Sequence, residues 1–276
     1  MNNDFIVKPE IFKNTPKADD ISLPQLLSAL NEAPQDLSHR YILITGATRG
    51  IGLTLSYAAA AYGASVILLD NSIAALENTF NQIMTLPNAK EPLLLPIDLA
   101  GANYDHYVIA HEQLTAHIPH LDSIIHNAAH FDGLYALLQT PPDTLIKQIQ
   151  VNYTASIWLT QTLFPLLRQS TSPTLLFADH EEAYAKNTAY WSTYAGSKSA
   201  LMQAVKQIAL EHGDSANLFA YGYNTGWVNT QLARAAYPNA DATWPDPMSA
   251  SIAQNILTLL DRPYANGHII NAMHAL

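Results

Sequence analysis

Tyr194 and Lys198 stand four positions apart at the end of "ADHEEAYAKNTAYWSTYAGSK", residues 178–198. On a helix that spacing puts both on one face, with the ammonium close enough to tune the phenol. A free phenol, with a pKa of about 10, exchanges protons poorly at neutral pH, and a neighbouring cation favours its ionised form. A small hydroxyl nearby would help such a pair hold a substrate oxygen. No Ser or Thr lies between Thr174 and Thr188, and the stretch carries Asp179, His180, Glu181 and Glu182 instead. An ionised carboxylate cannot donate a hydrogen bond, whereas an imidazole can through a ring N–H.

The second group with a chemical reading is "YILITGATRGIGLTL", residues 41–55, in which a strand runs into a helix across Gly46, Gly50 and Gly52. Glycines there permit a tight turn and let backbone N–H groups approach a pyrophosphate at the helix N-terminus. Asp70 ends the following strand, 18 residues beyond Gly52. A strand, a glycine turn, a helix and then an acid is the dinucleotide-binding arrangement, the acid accepting from ribose hydroxyls.

These side chains need a scaffold. Apolar runs at 41–45, 65–70, 93–97, 122–126, 174–178, 217–223 and 267–271 alternate with helical segments near 50–62, 73–85, 104–118, 143–169, 190–212 and 247–261. Strands apolar on both faces and spaced by helix-length connections predict an α/β fold. It is a Rossmann-type doubly wound sheet of about seven parallel strands, with helices on both faces and one domain over 36–276. Residues 1–35 form an N-terminal arm, whose segment "SLPQLLSALNE" (22–32) has helical apolar spacing and reads as packing. The Pro-containing stretch 230–247 could close over a crevice at the strand C-terminal ends.

Hydrophobic residues make up 49% of the 276-residue chain and charged residues only 13%, about half the usual charged share. Either the core is large or surface is covered by another copy. Apolar Ile157, Leu159, Leu163, Leu201, Val205 and Ile208 on the segments 143–169 and 190–212 make those helices the expected interface of a homodimer or homotetramer. A net charge of −10 argues against nucleic acid. The absence of cysteine excludes disulfides and thiolate chemistry, and no leader or membrane-spanning run is read, so a soluble cytoplasmic protein is expected.

The spacing TGxxxGxG, here "TGATRGIG", together with YxxxK resembles the short-chain dehydrogenase/reductase family, and among its branches the bacterial oxoacyl reductases and their relatives. The likeness spans about residues 36–272. It implies hydride transfer between a nicotinamide cofactor and a small-molecule carbonyl or alcohol. The cofactor set it implies is Gly46, Thr48, Arg49, Gly50, Ile51 and Gly52 in the loop, Asp70 at the ribose, and Asp98 with Leu99 at the adenine. To these it adds Asn127 and Ala128 in "HNAAH", and Gly226, Val228 and Thr230 in "TGWVNT" at the carboxamide. Ala129 and Thr225 stand where the family has glycine and proline. Tyr194 becomes the acid/base, Lys198 its tuner and a ribose ligand, and Asn152 in "VNYT" the anchor of a water chain. The family's serine, about 13 positions before the tyrosine, falls on Glu181, or on His180 after a one-residue insertion. His180 is the better surrogate because it can donate.

The carboxylate of Asp70 favours NAD(H), since it would repel a 2′-phosphate, whereas Arg49 leaves NADP(H) open. His111, His117, His120, His126 and His130 lack a metal-site spacing, so no metal is expected. Trp191, Trp227, Tyr184, Tyr237 and Trp244 either line an apolar substrate pocket or are ordinary core. The rival to an enzyme is a dinucleotide sensor or interaction module that kept the fold and lost efficient chemistry.

Overall fold

Runs such as "SVILLD" and "TLLFAD" carry apolar residues on both pleated faces, which only a sheet covered on both sides can bury. A computed structural model describes residues 23–32, 34–185, 188–238 and 244–273. Its strands are β1 (Tyr41–Thr45), β2 (Ser65–Asp70), β3 (Leu93–Pro96), β4 (Ser123–His126), β5 (Thr174–Asp179), β6 (Phe219–Asn224) and β7 (Ile269–Asn271). They form one seven-stranded sheet in the order β3-β2-β1-β4-β5-β6-β7, and every pairing is parallel. The order reverses between β1 and β4, and beyond the C-terminal ends of those strands such sheets bind ligands.

Helices cover both faces: α1 (Leu23–Glu32), α2 (Gly50–Ala61), α3 (Ile73–Ile83), α4 (Tyr104–His117), α5 (Pro142–Ile149), α6 (Ala155–Leu167), α7 (Ser192–Ala216), α8 (Gln231–Ala236) and α9 (Ala250–Thr258). Two starts are set by local chemistry. Ser72 accepts from the Ala75 N–H at α3, and Asn103 forms a capping box with His106 at α4. One core cluster joins α1, α2, α3 and α9 to one face, and a second joins α4, α6 and α7 to the other. Leu26 and Leu30 of α1 are buried in the first, alongside Ile252 and Ile256 of α9, so this part of the arm packs. Residues 1–22 and 239–243, which held the rest of the arm and the middle of the 230–247 segment, lie outside the described residues.

Two expectations change. The single helix over 143–169 is α5 and α6 joined by a π-bulge at Gln150–Thr154, where one extra residue per turn redirects the side chains. The apolar residues assigned to a subunit interface are mostly spent inside the chain. Leu159, Leu163, Leu201 and Val205 are buried in the second core cluster, and Ile208 packs against it. Their hydrophobicity covers the sheet, which removes the residue-level argument for an interface there.

Candidate active site

β1 delivers the chain into the glycine loop at Thr45, and α2 leaves it at Gly50. The loop is tight. A Cβ on Gly52 would lie 2.0 Å from the Gly46 carbonyl oxygen and 2.5 Å from Asn127 Nδ2. Gly46 and Gly50 hold positive φ of 65° and 55°, which glycine adopts without strain. The Thr45 hydroxyl accepts from the N–H groups of Asn127 and Ala128, tying the loop to the end of β4. Asp70 is tied in from β2. Its Oδ2 accepts from the Thr48 hydroxyl at 2.7 Å and Oδ1 from the Asn71 N–H at 2.8 Å.

A crevice of about 780 Å³ runs along the C-terminal strand ends. Gly46, Arg49, Gly50, Ile51, Asp70, Asp98, Leu99, Asn127, Ala128, Gly226, Val228 and Thr230 all line it, as do Tyr194, Lys198 and His180. Three of the sequence-derived residues do not. Thr48 serves Asp70, Gly52 supports the loop from beneath, and Asn152 lies behind the wall. The Arg49 guanidinium reaches 3.5 Å from Gln231 Oε1 on α8.

Tyr194 and Lys198 share one face of α7, with the ammonium 5.9 Å from the phenol ring centroid. The Lys198 Nζ donates to the Ala178 carbonyl at 2.7 Å. Ahead of them the His180 Nδ1 lies 3.3 Å from the Tyr194 hydroxyl. Glu181 is exposed on the next turn. Trp191 and Trp227 meet the imidazole edge-on at 5.3 and 4.7 Å, and its Nε2 is buried without a hydrogen-bond partner. Burial, aided by the Lys198 field, lowers the His180 pKa to about 4, so the ring is neutral at neutral pH.

The electrostatics differ from the expected tuning. Burial pushes the Tyr194 phenol well above its ordinary range, and Asp179 and Glu182 push the same way. Burial also lowers Lys198 to about 8, against an opposing pull from Asp179. A fully enclosed phenolate loses more hydration than one ammonium returns, so in the protein itself Tyr194 is firmly protonated.

Asn152, at the π-bulge, donates through Nδ2 to the His130 carbonyl and to Ser197 Oγ, and accepts from the His130 N–H through Oδ1. Ser197 in turn donates to the Tyr194 carbonyl at 2.7 Å. The side chain thus braces the loop after β4 and the backbone of the tyrosine helix. Phe131, which sequence reasoning passed over, packs edge-on against Tyr194 at 5.2 Å and lines the crevice. Of the aromatics singled out, Trp227 lines the crevice and stacks on Trp244 at 5.0 Å, with Tyr237 edge-on to both. Trp191 is core, and Tyr184 donates to Asp179. His126 is buried on Phe177 and bonded to Thr160, while His130 faces Asp132 at 3.8 Å. Among the described residues no group of three His, Asp or Glu could hold a metal ion, and no helix is long and apolar enough to cross a membrane.

The short chain dehydrogenase family model matches residues 40–241, from the start of β1 to beyond α8. The chain belongs to this family. A curated member, the uncharacterized oxidoreductase YciK of Escherichia coli K12, is 29% identical over 205 residues, covering 74% of this chain and 80% of its own. A solved short chain dehydrogenase from Salmonella enterica serovar Typhi superposes with a TM-score of 0.81 at 29% identity, covering 87% of this chain and 98% of the other. A Shigella flexneri protein classed with the short chain dehydrogenases was solved in complex with NADP. It reaches a TM-score of 0.80 at 28% identity, over 86% of this chain and 99% of its own. The sheet order and the single parallel sheet are those of a short-chain dehydrogenase.

Proposed function

We propose that this short-chain dehydrogenase transfers a hydride between a nicotinamide dinucleotide and a carbonyl or alcohol carbon, with Tyr194 as the proton donor and acceptor. The observation that carries this reading is the contact of His180 Nδ1 with the Tyr194 hydroxyl, 3.3 Å, in the same crevice as the glycine loop and Asp70. The tight glycine turn and the length of the crevice fit a dinucleotide, and the NADP complex of the Shigella relative supports a nicotinamide cofactor. Gly46, Arg49, Gly50 and Ile51 would hold its phosphates, Asp70 a ribose, Asp98 and Leu99 the adenine end, and Val228 with Thr230 the nicotinamide end.

The bound cofactor supplies or removes the hydride, and the protein's own groups manage the proton. In reduction the Tyr194 hydroxyl gives its proton to the substrate oxygen as that oxygen gains negative charge, leaving a phenolate and an alcohol. Lys198 stabilises the phenolate once formed. The neutral imidazole of His180 orients the Tyr194 hydroxyl through Nδ1, at the place where the family has a serine hydroxyl. Asn152 keeps Tyr194 in register through Ser197. Phe131 and Trp227 supply apolar walls for the substrate.

NAD(H) is the cofactor we favour. Asp70 faces the crevice as a carboxylate, and Arg49 is directed toward Gln231. The NADP-bound relative makes NADP(H) the competitor. The rival reading, a dinucleotide sensor without turnover, draws on the replaced serine and on Ala129 and Thr225, which depart from the family motifs. Following NADH and NADPH absorbance over panels of carbonyls and alcohols tests the proposal; binding of both cofactors with no turnover on any panel member would favour the sensor.

A further inference from the structure

Asp179 has no part in the mechanism above, yet it sits at its centre. The last two residues of β5 and the one after them each reach a different member of the site. The Ala178 carbonyl accepts from the Lys198 ammonium at 2.7 Å, the Asp179 side chain lines the crevice, and the His180 imidazole meets the Tyr194 hydroxyl at 3.3 Å. The Asp179 carboxylate is buried. Its Oδ2 accepts from the Tyr184 hydroxyl at 2.8 Å, and its Oδ1 has no hydrogen-bond partner. A buried carboxylate with one oxygen left bare is costly, and in so dry a place its field acts strongly on nearby charges.

We infer that Asp179 is a positioning residue that biases the site toward carbonyl reduction, acting through Tyr194 and Lys198 without touching the substrate. The inference rests on the oxidoreductase reading for its direction of reaction, and on the geometry of β5 for the coupling itself. Its carboxylate opposes a second negative charge on the Tyr194 oxygen and supports the positive charge on Lys198. A phenol held neutral is ready to give a proton to a developing alkoxide, and unready to take one from an alcohol. The charged and titratable groups facing this cluster are His180 on the same strand end, Glu181, Glu182 and Tyr184 on the turn after it, and Lys198 on α7. Tyr223 on β6 lines the same crevice. Of these, Glu182 acts on Tyr194 in the same sense as Asp179, and the Lys198 ammonium lies 5.9 Å from the phenol ring centroid.

The competing explanation is that Asp179 merely anchors Tyr184. Three variants separate the two: Asp179→Asn keeps the shape and an acceptor for Tyr184 but removes the charge, Tyr184→Phe removes the hydrogen bond but keeps the charge, and Glu182→Gln removes the second anion. The measurements are the pH profile of kcat/KM for alcohol oxidation and an NMR titration of the protein labelled at tyrosine Cζ, the Tyr194 resonance being the one lost in Tyr194→Phe. Asp179→Asn is expected to move the rising limb of oxidation about one pH unit toward acid, a roughly tenfold faster oxidation below the limb. Its Tyr194 resonance should leave the phenol position at a lower pH than in the wild type. Glu182→Gln should shift both in the same direction by less, and Tyr184→Phe should leave both at their wild-type positions. Wild-type behaviour in Asp179→Asn, or an equal shift in Tyr184→Phe, would overturn the inference. If the wild type turns over no substrate, the oxidoreductase reading fails while the NMR titration still decides the coupling.

Discussion

His180 Nδ1 and the Tyr194 hydroxyl, 3.3 Å apart and both buried, form a contact between the end of β5 and the first turn of α7. In the proposed reaction His180 stands in for the hydroxyl that the sequence lacks. His180→Ala should therefore lower kcat by a factor on the order of 10²–10³, the cost of losing one such donor. His180→Ser should retain more activity than the alanine variant, and Glu181→Ser should change little because Glu181 is exposed. Steady-state kinetics of the three variants check this ordering.

In the proposed reading Asp70 sets the preference for NAD(H). Its carboxylate is held by Thr48 and Asn71 at the end of β2, facing the crevice. Asp70→Ala should weaken NADH binding and tighten NADPH binding, because it deletes both a ribose acceptor and the charge that repels a 2′-phosphate. Fluorescence titration of both nucleotides reads the change. Tighter binding of NADPH than of NADH by the wild type would contradict the preference.

Acid should destabilise the fold through its buried histidines. Burial lowers the pKa of His126 to about 3 and that of His180 to about 4, while in the unfolded chain both titrate near the ordinary histidine value of 6.5. Both are neutral in the native state, so their stabilising contribution is complete above pH 6.5 and is lost as pH falls toward those native values. At pH 5 the loss is roughly 2 kcal/mol for each. Thermal melts at pH 7 and pH 5 should show a clear drop in Tm, and His126→Asn should flatten part of that dependence. An unchanged pH dependence in that variant would show that His126 is not responsible.

The parallel sheet was legible because its strands are apolar on both faces and each is followed by a helix-length segment. The glycine loop, Asp70 and the Tyr194–Lys198 pair were legible because their chemistry depends on spacing along one or two elements. What the sequence hid depends on contacts between distant elements. No periodicity signals the π-bulge at Gln150–Thr154, which comes from one extra residue in a turn, so Asn152 read as a helix residue and not as a brace between His130 and Ser197. Counting back from Tyr194 could not choose between His180 and Glu181, because the end of β5 decides which side chain turns inward. Leu159, Leu163, Leu201 and Val205 read equally well as interface or core, and the sheet claims them. The raised pKa of Tyr194 was hidden for a related reason: the sequence shows the lysine beside it but not the burial that outweighs it.

The central claim is that Tyr194 gives and takes the proton. Its most direct test is the turnover of Tyr194→Phe measured beside its affinity for NADH, on a substrate that the wild type reduces. The ring packs against Phe131 and Trp191, and phenylalanine keeps those contacts. Turnover should fall to background while NADH binds with nearly wild-type affinity. Wild-type turnover in Tyr194→Phe would contradict the claim and move the proton donor elsewhere in the crevice.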